Sequence, residues 1–146
     1  MSCWEVLEQR AKADRDKAIE AISEVRGRLE QQQVLCDRTQ EIAEQYQRKI
    51  EGTLESATYF GDIQLYRTSL KQIQQAVVHI RTQIAKLEAE LMTKQRVLTE
   101  ANLERQKYQK LIEREKAQRA RLIARREAHE LDEIGRQVYY RNSKLA

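Results

Sequence analysis

Few side chains in this chain are equipped for chemistry: His79, His129, Cys3, Cys36 and a run of arginines at Arg119, Arg121, Arg125 and Arg126. The two histidines stand 50 residues apart, and each reads as a helix-surface residue rather than a metal ligand or general base. The cysteines have no CxxC spacing and no accompanying histidine pattern, so they read as free thiols in a reducing compartment. There is no glycine-rich phosphate loop, no GxSxG and no cluster with metal-ligand spacing. The inventory points to a non-enzyme that calls for no cofactor and no metal. What remains is charge. In REKAQRARLIARREAHELDE, residues 114–133, and Glu113 just before it, arginines are interspersed with Glu113, Glu115, Glu127, Glu130, Asp132 and Glu133, a pattern suited to binding rather than turnover.

The elements that carry these residues follow from composition and period. Of 146 residues, 34% are charged, four are Gly, none is Pro, and Phe and Trp occur once each. This is the mixture of long helices and coiled coils, in which apolar burial lies along a seam rather than in a thick core. From Tyr66 a 4-3 spacing selects Tyr66, Leu70, Ile73, Val77, Ile80, Ile84, Leu87 and Leu91, all apolar. It continues, diluted, through Lys94, Leu98, Ala101, Arg105, Tyr108 and Ile112, and then fails on Glu115, Arg119, Leu122, Arg126, His129, Glu133 and Arg136. A sustained repeat of this kind predicts a helix packed knobs-into-holes on another helix. Leu70, Val77, Ile84, Leu87, Leu91 and Leu98 are its principal seam residues.

A second stripe lies upstream: Trp4, Leu7, Ala11, Ala18, Ile22, Val25, Leu29, Leu35, Thr39, Ile42, Tyr46 and Ile50, with slips of register expected around Gly27 and the glutamines. Between the stripes, Gly52 fits a helix C-terminal cap and Asp62 an N-cap. The prediction is an all-α fold: a long two-helix antiparallel coiled-coil hairpin forming a single domain over 1–146. Helix one spans about 3–51, a tip turn about 52–62, and helix two about 63–141. Folding at the turn pairs positions whose numbers sum to roughly 114, which puts Trp4 near Tyr108 to Ile112. Helix two is the longer, so from about residue 113 it forms a C-terminal overhang of about 45 Å.

An unpaired helix of that length is marginal in water unless side-chain pairs or a partner support it. Its mixed charge is compatible with plain solvation. Yet Ala117, Ala120, Ala124, Leu131, Ile134 and Val138 leave a narrow apolar stripe, and Tyr139 and Tyr140 follow it. That is the pattern of a helix awaiting a groove or ring.

Other binding classes fit less well. The sequence pI near 9.1 permits nucleic-acid contact, but the net charge is only +4 and glutamates interrupt the arginines, whereas phosphate binding needs a continuous basic stripe. No nucleic acid is therefore expected as a partner. A membrane-surface helix is weaker still, because the tail's stripe lacks large residues. No run of about 18 apolar residues offers a membrane span, and the opening MSCWEVLEQRAKADRDK lacks the apolar core of a signal peptide, so a cytosolic location is expected. A generic coiled-coil scaffold remains open.

Three stretches carry a family resemblance: VLEQRAKADRDKAIEAI near the start, EQYQRKI before the turn, and LIEREKAQRARLIARREAHELDE into the tail. In order, spacing and unequal helix lengths, nearly the whole chain resembles the FliJ family. These are coiled-coil proteins of the bacterial flagellar type III export apparatus, with YscO-type proteins as virulence-secretion counterparts. The resemblance implies a stalk, similar to the central shaft of rotary ATPases, inserted in the hexameric ring of a FliI-like export ATPase. It also implies contact with a FlhA-like export gate protein, escort of export chaperones, and a place at the cytoplasmic face of the inner membrane, touching it only through partners. An injectisome stalk is the alternative. The family's gate-binding patch falls on Ile42, Tyr46, Ser69, Ile73, Ala76 and Ile80. Tyr46, Ile73 and Ala76 match the family's residue type; Ser69 and Ile80 depart from it, and Ile73 and Ile80 also occupy seam positions. The ring-binding face is a physical inference: Arg119, Arg121, Arg125 and Arg126 have the charge to meet ring carboxylates, beside Leu131 and Ile134.

Overall fold

The computed structural model describes residues 2–55 and 60–145, and two helices account for nearly all of them: α1, Cys3–Glu55, and α2, Phe60–Leu145. They pack against each other as a helical hairpin. The start of α1 is a reciprocal cap. The Ser2 Oγ accepts from the Glu5 backbone N–H at 3.4 Å, while the Ser2 N–H donates to Glu5 Oε2 at 3.2 Å. This capping box satisfies two of the helix's first donors.

The break between the helices is narrower than the expected turn at 52–62. Gly52 is helical, and no described glycine has a positive φ, so it is not a left-handed cap. Packing explains the continuation: Ile50 is buried, Thr53 is half-buried one seam step later, and the Thr53 hydroxyl donates to the Lys49 carbonyl. These contacts outweigh the roughly 1 kcal/mol of helix propensity that a glycine lacks. Asp62 is the third residue of α2 rather than its cap, with its carboxylate in the first turn, where the helix dipole favours negative charge. Ser56, Ala57, Thr58 and Tyr59, the middle of the expected turn, lie outside the described residues.

The chain divides into two compact units, one comprising Asp14–Glu100 and the other Met1–Ala13 with Ala101–Ala146. In the first, Ala18, Ile22, Val25, Ala43 and Ile50 of α1 and Ile63, Leu70, Val77 and Ile80 of α2 are buried. Ala43, Ile50 and Leu70 form one cluster, flanked by Tyr46, Tyr66 and Ile73. Tyr46 meets Tyr66 edge to face, ring centroids 6.0 Å apart. Ile84, Leu87, Leu91 and Leu98 are half-buried along the same face of α2.

The α1 register differs from the expected one. Its seam positions run 18, 22, 25, 29, 32, 36, 39, 43, 46, 50 and 53, alternating by four and three without a slip, with Ala21 half-covered beside them. Leu35 and Ile42 are therefore off the seam, 46% and 43% exposed, and Gln32, Cys36 and Ala43 take the places expected for apolar neighbours. A slip would require local over- or underwinding of the helix. A polar group that is only half covered keeps its water, so Gln32 costs less at the seam than a broken register. Between the helices, Arg28 pairs with Glu90 at 3.3 Å, and Arg81 donates to Gln40 at 3.2 Å.

In the second unit, Ala11 and Ala101 are buried, and Glu8 pairs with Arg105 at 3.2 Å with both side chains partly covered. Trp4 stacks on Tyr108, centroids 6.2 Å apart, at the first of the positions expected for it. The Tyr108 phenol is held above its usual pKa by its hydrogen bond to Glu104 and, secondarily, by desolvation and nearby negative charge. Trp4 is the chain's only tryptophan and is 37% exposed, so its emission should be blue-shifted and partly shielded from a soluble quencher. Tyr108→Ala should shift the emission to the red and raise the quenching constant. Water-like emission in the parent chain would mean that the N-terminus is not docked.

Candidate functional site

Beyond the last half-buried position, Glu115, every described residue of α2 is exposed. This tail, residues 116–145, carries all the candidate ring-binding residues, and helical geometry sorts them. At about 100° per residue, Arg119 and Arg126 share one row and Arg121 and Arg125 another, about 130° away around the helix. The four arginines are thus two rows, not one cluster. Leu131 (69% exposed) and Ile134 (55% exposed) lie further along the helix, on the stripe that includes Ala120, Ala124 and Val138 and runs between the two rows. Around Ala120 and Ala124 the strip has an arginine row on each side, and around Leu131 and Ile134 the same rows carry Glu130, Asp132 and Glu133. Arg119 is partly engaged, donating to Glu115 at 2.9 Å one turn earlier. Near the end, Lys144 Nζ sits 5.6 Å from the Tyr140 ring centroid.

The residues expected to form a gate-binding patch divide by burial. Ile42 and Ala76 are exposed, Tyr46, Ser69 and Ile73 are half-buried, and Ile80 is buried at 7% exposure. Ile80 packs in the seam and is not a surface group, while Ile73 supports the Ala43–Ile50–Leu70 cluster. Lys49 Nζ lies 5.4 Å from the Tyr46 ring centroid and 5.9 Å from that of Tyr66, so a cation borders this aromatic pair.

Sequence reasoning missed the exposed apolar groups Phe60 and Leu65 at the start of α2 and the adjacent pair Val34 and Leu35 on α1. Leu35 was hidden by its assignment to the seam; continuing the 4-3 count from Val25 through Gln32 would have released it. Val34 and Leu35 line an open depression of about 690 Å³ with Gly27, Glu30, Gln31, Gln32 and Arg38. It follows the outer face of one helix and has no walls to exclude water, so it offers no setting for catalysis. His79 and His129 are both exposed, Cys3 and Cys36 are free thiols, and no group of acidic, histidine or cysteine side chains among the described residues is arranged to hold a metal. No helix is long and apolar enough to cross a membrane, of the residues described.

Comparison with curated proteins and with solved structures returns no match for this chain. A family comparison does. The model of the flagellar FliJ proteins matches residues 4–144, so the stripes, the turn and all but the last described residue of the tail fall within the match, and the chain belongs to this family of non-catalytic coiled-coil components of flagellar protein export.

Proposed function

We propose that the protein is the stalk of a flagellar export ATPase, with its tail held inside the hexameric ring of a FliI-like partner. The observation that carries this reading is the continuous exposure of residues 116–145 on a helix that carries arginines on both sides of its apolar strip around Ala120 and Ala124. A ring presents repeated carboxylates and loops around its axis. A helix with cations in two rows can engage carboxylates of more than one ring subunit at once, whereas a single row faces one side of the ring at a time. Leu131 and Ile134 supply the apolar contact further along the same strip, beyond the arginines.

The other surface in the proposal is the patch around Tyr46. Ile42 and Ala76, with the accessible edges of Tyr46 and Ser69, contact a FlhA-like gate protein. Ile73 and Ile80 act beneath them by fixing the packing of the two helices. Escort of export chaperones completes the proposed role, which places the protein at the cytoplasmic face of the inner membrane and on the membrane only through its partners.

The test is charge reversal in the tail. Arg119, Arg121, Arg125 and Arg126 are exposed, so changing all four to Glu should alter stability by no more than about 0.5 kcal/mol per site. Affinity for the purified ATPase should fall about tenfold or more, because attractive contacts become repulsive. Unchanged affinity with an intact melt would remove the arginines from the ring interface.

A further inference from the structure

The tail's apolar strip is a heptad seam in its own right. It lies about a third of a turn away from the α2 seam, since continuing that seam would select Arg119, Leu122 and Arg126. One set of positions, seven apart, is Ala124, Leu131, Val138 and Leu145; the set interleaved with it is Glu127, Ile134 and Arg141. All seven are exposed. Two of the seven are charged, with opposite signs, and they stand symmetrically about Ile134.

That symmetry is what selects the occupant. We infer that the strip pairs with the same strip of a second copy of this chain, antiparallel, about a two-fold axis near Ile134. In this arrangement Ile134 meets Ile134 of the second copy, Leu131 meets Val138, Ala124 meets Leu145, and Glu127 meets Arg141. Each charged seam position then faces its opposite, twice per dimer. A parallel dimer instead sets Glu127 on Glu127 and Arg141 on Arg141. Sliding the antiparallel pair by one heptad sets Glu127 against Ile134. Only the centred antiparallel register buries no unpaired charge.

The hairpin itself shows that such a pairing is accommodated. Glu8 and Arg105 occupy seam positions on antiparallel helices, meet at 3.2 Å and are both partly covered, beside the Trp4–Tyr108 stack. The flanks of the tail pairing hold no like charges: Glu130 faces Gln137, and Ala128 faces Asn142. Gly135, next to the axis, has nothing within 4 Å of where a Cβ would stand, leaving room for close approach.

The zipper spans about three heptads per chain, roughly 33 Å at 1.5 Å per residue, so the dimer is concentration-dependent rather than obligate. It covers Leu131 and Ile134, which makes self-pairing and any other use of that strip mutually exclusive. The inference does not rest on the proposed ring contact, because it follows from the tail's own seam.

Sedimentation velocity on the full chain over a wide concentration range tests it. The parent should show a reversible monomer–dimer equilibrium. Glu127→Arg alone and Arg141→Glu alone should each weaken self-association by about tenfold or more, as two pairs become repulsive. Mixing the two variants should restore a dimer, since one chain then offers only cations at these positions and the other only anions. Both residues are exposed in the free chain, so thermal melts at concentrations where the parent is monomeric should not change. A parent that stays monomeric, single variants that associate like the parent, or a mixture that stays monomeric would each overturn the pairing. Binding to the ATPase, measured on the same variants, reports on the ring contact separately.

Discussion

Val25→Asp is expected to lower stability by about 4 kcal/mol and the melting midpoint by roughly 10–15 °C. Val25 is the most completely buried side chain described, at 1% exposure, and no charged side chain among the described residues is fully buried with it. The charge must either be buried unpaired or force the helices apart locally. The matched controls are Leu35→Asp and Ile42→Asp, which should cost only about 0.5 kcal/mol each, because both side chains lie off the seam. Helicity followed during thermal unfolding reads all three. The contrast tests the α1 register directly. If Leu35→Asp melted as early as Val25→Asp, the register would be the slipped one that residue type alone suggests.

Ending the chain after Glu115 should leave the melting midpoint within a few degrees of the parent and abolish ATPase binding. Every described residue beyond Glu115 is exposed, so the truncation removes no covered side chain. Helical stability in such a protein comes from tertiary packing of the apolar face more than from intrinsic propensity, and that packing is retained. Binding, by contrast, should fall below detection, because both arginine rows and the strip between them are gone. Melting and binding must be measured together on the same protein. A truncated chain that unfolds would show that the tail folds back as structure; one that binds and stimulates the ring would show that the other end of the hairpin makes that contact.

The α2 seam was readable residue by residue because large apolar side chains fill every position from Tyr66 to Leu91. At that density, residue type and periodicity give the same answer. The exposed tail was readable for the complementary reason: the repeat shared with α1 fails after Ile112, and beyond it α2 has no face directed at α1. Trp4 against Tyr108 followed from the length of α1 and the antiparallel direction alone.

On α1 the two signals separate. Leu35 and Ile42 are apolar but exposed, while Gln32 and Cys36 sit half-covered in the seam. Residue type expresses only a preference for burial, whereas the positions that face α2 are set by helix winding and by the partner's knobs. One helix read in isolation does not contain that information. The same holds for Gly52, whose helical conformation is secured by Ile50 and Thr53 packing on either side of it, and for Ile80, which the seam claims ahead of any surface role. What the sequence by itself determined was therefore the hairpin, its α2 face and the free tail. Which α1 residues close the seam, and how far each helix runs toward the turn, was decided by contacts between residues distant in the chain.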